Sequence, residues 1–269
     1  GIGIMSINKC KVGGIVAEEP RVCSDSYYKE ALEIVLDVNR NDIYKFERIK
    51  CLIIEPSLID KAMNHVKVGD YFLGNGRLIS FECNETKTIQ CPHCGNESTR
   101  TRRVIHSDIV MYEFEVSPGT FLPDSEGINS AVFSGVIPNP IAQQKNRALI
   151  SLVINRPMKA QEELNRALNE EMRGGTERYN LVRVHGYKDV AESIKENIHQ
   201  KDRVFVKGAV CERTVQYPVL FRCHECGEES EQYIECTRYE VVARCVDLDN
   251  QYIPNFNSLC ANNSYVQMA

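Results

Sequence analysis

Along the segment Tyr44–Leu52 basic and apolar residues alternate with a period of two, the signature of a half-buried strand. Strand-like runs surround it at Ile7–Val16, Ala31–Arg40, Gly69–Leu78 and Ile109–Val116. Between the third and fourth runs the period changes. Leu58, Ala62 and Val66 recur at i, i+4, i+8, which predicts a short helix over 57–66 with Ser57 as its N-cap.

The series then repeats. Ile128–Ile137, Ala148–Arg156, Tyr179–Tyr187, Lys201–Val210 and Tyr239–Val246 follow in the same order, with a second short helix over 190–198. Gly14 and Gly135 fall in register, and a glycine inside a strand marks a bulge or a sharp bend such as a barrel corner. Copy two alone carries an insert, 157–178, whose part 161–172 is helical in composition and is stopped by Gly174-Gly175. Strand, strand, strand, helix, strand, strand is the order of an OB-fold barrel. The expected fold class is therefore all-β, two tandem OB-folds with short helices. Domain 1 is expected over 6–116, a Pro/Gly-bearing linker over 117–127, domain 2 over 128–248 and a tail over 249–269. Between strands four and five each copy holds a Cys-rich insert, 83–106 and 211–236, read as a zinc-ribbon-like hairpin.

The chain resembles the bacterial single-stranded-DNA-binding protein family. The motifs are Asn8-Lys9 with Gly14 and Glu19-Pro20-Arg21, Val38-Asn39-Arg40 and Ile154-Asn155-Arg156, and Phe46-Glu47-Arg48-Ile49. Arg183-Val184, Tyr187-Lys188-Asp189-Val190-Ala191-Glu192, Val68-Gly69-Asp70 and Gly76-Arg77-Leu78 complete them. The resemblance covers most of both copies. It implies OB barrels, a non-catalytic role in holding single-stranded DNA, and four OB-folds working together, hence a homodimer of two-barrel chains.

Composition refines this picture. The chain has 269 residues, 43% of them hydrophobic, a net charge of -5 and no tryptophan. Its length suits about two domains. It has no apolar run near the ~18 residues of a membrane span, and no secretory signal is read at its start. The acidic balance does not advertise nucleic acid, although a basic groove can sit on an acidic protein. Twelve cysteines, several of them in C-x-x-C pairs, point to metal binding in a reducing, cytoplasmic setting. Cys91-Pro92-His93-Cys94-Gly95 and Cys223-His224-Glu225-Cys226-Gly227 are zinc knuckles, tight turns that aim two thiolates at one ion. The expected ligand sets are Cys83, Cys91, Cys94 and His106 in copy one, and Cys211, Cys223, Cys226 and Cys236 in copy two. Cys245 is an alternative to Cys211. This makes two structural zinc ions per chain, closed by four ligands and without an open position for catalysis. No Walker motif, nucleophile elbow or deaminase signature is present.

Single strands are held by aromatic faces for bases and cations for phosphates. The candidate residues are Arg40, Phe46, Arg48, Lys50, Arg77, Phe81, Arg100, Arg102 and Arg103 in copy one. In copy two they are Arg183, Tyr187, Lys188, Arg213 and Tyr217. The Arg-rich tip after Cys94 contrasts with the Glu-rich tip after Cys226, so copy one is expected to hold DNA and copy two to serve assembly. The leading expectation is a protein that coats single-stranded DNA in replication, recombination or transfer. The rivals are an OB-fold interaction subunit of a replisome or primosome with weak DNA binding, and an RNA-binding OB/zinc-ribbon protein.

Overall fold

The structure, a computed structural model, describes residues 6–23, 27–40, 45–119, 127–173 and 178–249, without the side chains of Arg40, Lys45 and Phe46. Most of the expected linker, 120–126, and the tail from 250 lie outside the described residues.

In the first half, β1 (Ile7–Val16), β2 (Arg21–Cys23), β3 (Ala31–Arg40), β4 (Lys45–Ile53), α1 (Pro56–His65), β5 (Tyr71–Gln90) and β6 (Glu97–Ser117) follow in order. β1 pairs with β3 and β5, β3 with β4, and β5 with β6, all antiparallel; β4 runs parallel to β6. That ring of five strands is the OB barrel. Alternate positions point inward: Leu32, Ile34, Leu36 and Val38 on β3 pack against Ile49, Cys51 and Ile53 on β4. The helix begins one step before the expected start. Glu55 is its N-cap, without a side-chain bond, and Pro56 opens it; Pro suits the first helical position because its missing N–H has no partner there anyway. Ser57 is therefore not the cap.

The second half repeats the ring with β7 (Ile128–Val136), β8 (Ala142–Gln144), β9 (Arg147–Asn155), β10 (Tyr179–Tyr187), α4 (Asp189–Asn197), β11 (Arg203–Arg222) and β12 (Glu229–Leu248). The insert between β9 and β10 forms α2 (Met158–Ala167) and α3 (Glu170–Arg173) rather than one helix. It breaks because Leu168 turns extended to bridge Tyr28 of the first half, and the Asn169 N–H bonds Tyr27 O at 2.9 Å. Leu164, Leu168 and Met172 thereby cover the outer wall of the first barrel at Tyr28, Leu52, Ile79 and Phe81.

The barrels are joined edge to edge by an antiparallel β1–β7 ladder, from Ile7↔Ser134 through Cys10↔Ala131 to Gly13↔Ile128. The repeat offset carries Ile7 to Ile128 and Gly13 to Ser134, which are the ladder's own end pairs exchanged. The two halves thus meet as the subunits of an isologous dimer do, with the local two-fold axis at Cys10↔Ala131. The repeated asparagines follow the same symmetry. Asn8 clamps the backbone of Leu78 (Nδ2 to O 2.9 Å, N to Oδ1 3.0 Å), and Asn129 clamps Val210 at 2.8 and 2.9 Å.

The larger surprise is the length of strands four and five. β5 and β6 stay paired from Tyr71↔Ser117 to Gln90↔Glu97, and β11 and β12 from Val204↔Leu248 to Arg222↔Glu229. The Cys-rich inserts are continuations of the barrel strands, rich in β-branched residues such as Thr86, Thr88, Thr99 and Thr101 that favour strand. Each ladder slips once beside a glycine, at Asn75/Gly76 and Lys207/Gly208, bulges that bend a strand. The two hairpin arms lie face to face.

Candidate metal centre and nucleic-acid interface

At the arm tips the two C-x-x-C turns meet. In each, the N–H of the glycine bonds back to the first cysteine's carbonyl, Gly95 N to Cys91 O at 2.9 Å and Gly227 N to Cys223 O at 3.0 Å. Gly95 and Gly227 take φ of +75° and +74°, the left-handed region open to glycine at little strain. The result is one cluster, Cys91, Cys94, Cys223 and Cys226, with all four sulfurs within 4.8 Å of one another. Across the arms Cys91 Sγ lies 3.7 Å from Cys226 Sγ, and Cys94 Sγ lies 3.5 Å from Cys223 Sγ. Four sulfurs bound tetrahedrally at about 2.3 Å from one zinc ion stand about 3.8 Å apart, so the donor set fits a tetrahedral ion.

The electrostatics agree. The N–H of Cys226, with that of Glu225, holds the Cys223 thiol down at about 6, and the N–H of Cys94 likewise lowers Cys91. For Cys226 the N–H of Glu228 lowers the thiol, but lost hydration and the neighbouring sulfurs push it up to about 12. Four thiolates this close need a cation before all can ionise. Cys91 and Cys223 are buried with Ile89 and Phe221, and Arg100 lies over the Phe221 ring at 5.0 Å.

This arrangement corrects the expected pair of sites. Among the described residues there is one four-cysteine cluster, shared by the two copies, and Cys83, His106, Cys211 and Cys236 stand outside it. Along an extended strand the eight steps from 83 to 91 span about 26 Å, so Cys83 does not reach its own hairpin tip. Cys83 and Cys236 are buried at the foot of the arms in an apolar cluster with Phe81 and Val104. His106 Nε2 bonds Asp108 Oδ2 at 2.7 Å and stacks on Tyr27 at 4.1 Å. Burial lowers the His106 pKa, but the Asp108 carboxylate outweighs it and brings it to about 10. Cys211 lies beside Arg213, its thiol pushed up by burial. Cys245, the alternative ligand, is buried next to Phe205. The signal for a shared site was the repeat itself: equivalent turns on two halves related by a two-fold axis can meet on that axis.

The candidate nucleic-acid residues divide sharply. The side chains of Arg40 and Phe46 lie outside the described residues. Arg48 is held by Asp37 at 3.1 Å and Glu18 at 3.4 Å, and Lys50 by Glu33 at 3.6 Å. Arg77 covers the Tyr112 ring at 4.6 Å. Phe81 is core, in edge contact with Tyr27 and Tyr28. Arg103 bonds Glu82 at 2.6 Å. Arg100 donates to Arg222 O at 3.3 Å, and Arg102 donates to Pro218 O while lying over Tyr217 at 5.4 Å. The Arg-rich stretch of the first arm therefore grips the second arm.

The second barrel presents the opposite balance. On the outer face of β9, β10 and the foot of the second arm, Arg147, Arg183, Arg213 and Arg238 surround Tyr187 and Tyr217. Arg213 Nη2 donates to Tyr187 Oη at 2.8 Å, and Arg147 lies over the same ring at 5.9 Å. Arg183 Nη1 donates to Ser151 Oγ at 2.7 Å, and Arg238 Nη1 to Tyr217 Oη at 2.6 Å. Arg147 also donates to His185 Nδ1 at 2.9 Å, which leaves the proton on Nε2 to donate to Glu240 at 3.1 Å. Glu240 bridges to Arg238 at 3.7 Å. Lys188 is exposed beside Tyr187, at φ +52° ahead of α4. Arg147 and Arg238 were not foreseen: the first precedes its strand in the sequence pattern, and the second falls between the second insert and the strand expected from Tyr239.

No family profile matches the sequence, and no curated protein matches it. Among solved structures the chain is similar to the wild-type single-stranded DNA binding protein from Thermus aquaticus, at 12% identity and TM-score 0.48, covering 92% of this chain and 95% of that one. A deletion mutant of that protein superposes with 12% identity and TM-score 0.48, over 93% of this chain and 98% of that one.

Proposed function

We propose that this protein binds single-stranded nucleic acid, DNA in the first place, without catalysing a reaction on it. The observation that carries the reading is the Arg/Tyr face of the second barrel, where four arginines stand around two tyrosines. Cations of this kind hold phosphates, and aromatic faces stack bases at about 1–3 kcal/mol each. The first barrel's described cations Arg48 and Lys50 are spent on its own carboxylates, so the second barrel takes the strand and the first supports it. One zinc ion per chain at the four cysteines makes the two arms a single rigid projection; its role is structural. Two such chains would assemble a four-barrel homodimer serving DNA replication, recombination or transfer.

Titration of labelled oligo-dT at several salt concentrations tests this. Four neutralised phosphates predict a slope of log K against log[salt] near −3, at about −0.7 per phosphate. Absence of salt-sensitive binding at micromolar protein would overturn the reading. Oligo-U in competition decides between DNA and RNA. The interaction-subunit reading has its own observation: on the outward side of the second arm Leu220 is 77% exposed and Tyr233 43% exposed, amid Glu229, Glu231 and Glu235. That patch suits a protein rather than phosphate, and the reading takes precedence if oligonucleotides do not bind.

A further inference from the structure

Next to the Arg/Tyr face lies a cleft of about 330 Å³ where the two halves meet. Its walls are Ser80, Phe81 and Ile105 from the foot of the first arm, and Val153, Tyr179 and Leu181 from the outer face of β9 and β10. The volume is at the low end of the ~300–1,000 Å³ of small-molecule pockets, enough for one flat heterocycle and too little for a stack. About half of the lining is polar, from Ser80, Glu82 and Asn139 among others, and such a mixed cavity suits a nucleobase, whose faces are apolar and whose edges carry donors and acceptors.

Two arginines stand beside the cleft without lining it, while the one charged lining residue is Glu82. Arg183 follows Leu181 on the same face of β10. The parallel register Val184↔Val241 between β10 and β12, run on by three residues, brings Arg238 level with Leu181. Arg238 is 8% exposed. The Nε atoms of Arg183 and Arg238 are both buried without a hydrogen-bond partner. A buried donor without a partner is costly, more so when charged, and here two neighbouring cationic side chains each carry one. Burial and the adjacent Arg238 charge also lower the Arg183 pKa. Glu240 is the carboxylate bridging to Arg238, and Glu82, a lining residue of the cleft, is paired to Arg103.

We propose that this cleft is a one-nucleotide subsite: a base of the bound strand leaves the stack and enters between Leu181, Val153 and Tyr179, while its phosphate rests on Arg183 and Arg238. The inference rests on the proposed single-strand binding and specifies where one nucleotide of the strand is held. Everting a base from a single strand costs less than from a duplex, because no pair is broken.

The test compares oligo-dT with the same oligonucleotide carrying scattered abasic positions, against the unaltered protein, Leu181→Trp, Val153→Phe and Arg238→Met. Metal content and thermal melting certify that each variant is folded. The two cavity-filling variants should weaken intact oligo-dT about tenfold and leave the abasic oligonucleotide's affinity unchanged, since it has no base to lose. Arg238→Met should reduce the salt slope by about 0.7 for both ligands. Equal losses for intact and abasic strands, or a salt slope unmoved by Arg238→Met, overturn the subsite while single-strand binding stands. If the unaltered protein holds no oligonucleotide, the binding reading itself falls and the subsite falls with it.

Discussion

Stripping the metal should open the arm tips and leave the barrels intact. Without an ion the tip is held by Ile89 and Phe221, 4% and 1% exposed. Their burial is worth about 1.5–3 kcal/mol each, against about 1–2 kcal/mol of backbone entropy for each turn residue that must stay ordered. The apo tip therefore lies near balance. With an ion in place, opening must first release it, and structural zinc in small peptides contributes roughly 10–16 kcal/mol. Global unfolding caps the measurable difference, so the expected effect is a loss of at least about 4 kcal/mol of local protection, some three orders of magnitude in exchange rate. The probes are the amides bonded within the turns: Cys91 N to Asn96 O at 2.8 Å, Cys223 N to Glu228 O at 2.9 Å, and the two glycine N–H groups. Hydrogen exchange with and without chelator, together with elemental analysis, reads the result. Amides of the β7–β11 ladder serve as the internal control. One metal equivalent per chain and tip-specific deprotection are expected, with the same pattern from Cys94→Ser. Two equivalents, or tip amides indifferent to chelation, would refute the shared site.

Three further outcomes follow from other residues. Because the His106 pKa is raised to about 10 in the fold from about 6.5 unfolded, its contribution to stability is complete below pH 6.5 and lost as pH rises toward 10. Its share of the slope approaches 1.4 kcal/mol per pH unit, and His106→Gln should lower melting most below pH 6.5, least near pH 10, and so flatten the melting-temperature profile between them. Phe81→Ala should cost about 3–5 kcal/mol of stability as a core truncation, whereas Tyr187→Ala should barely alter melting and weaken oligo-dT by about 1–3 kcal/mol; equal effects on melting would erase that distinction. Arg100→Glu with Arg102→Glu should raise exchange along both arms while leaving the salt slope of DNA binding in place, and a reduced slope would return these residues to the nucleic-acid interface.

The barrels were legible because their information is local. Alternation in 44–52, paired glycines and the repeated Ile-Asn openings identify the barrel part of each of the five strands, and a repeat doubles each signal, although the arms of strands four and five and the short β2 and β8 escape it. The knuckles were legible for the same reason, since two cysteines on one tight turn can share an ion. What local pattern does not carry is which pair completes the tetrahedron. That depends on the β1–β7 ladder setting the two hairpins face to face, a contact between residues more than a hundred positions apart. The charges read differently on the same ground. Arg100 and Arg102 look like a phosphate grip when their neighbours are Thr99, Thr101 and Arg103, and like a clamp once Arg222 and Pro218 are across from them. Arg238 was overlooked because it falls between the second insert and the strand expected from Tyr239, while its neighbours in space are Tyr217 and Arg183.

Joining the two halves in one polypeptide has a consequence that a pair of identical subunits would not share. Two copies of one gene product must make every off-axis contact twice, so an arginine on one arm would be matched by the same arginine on the other. Covalent linkage lifts that constraint. It lets Cys10 face Ala131, arginines line one arm and glutamates the other, and a helical insert from one half roof the barrel of its twin. It also makes the encounter of the cysteine pairs independent of dilution, because each is held near the other at the high effective concentration of a tether. The chain has kept the geometry of a dimer while giving its two halves different occupations.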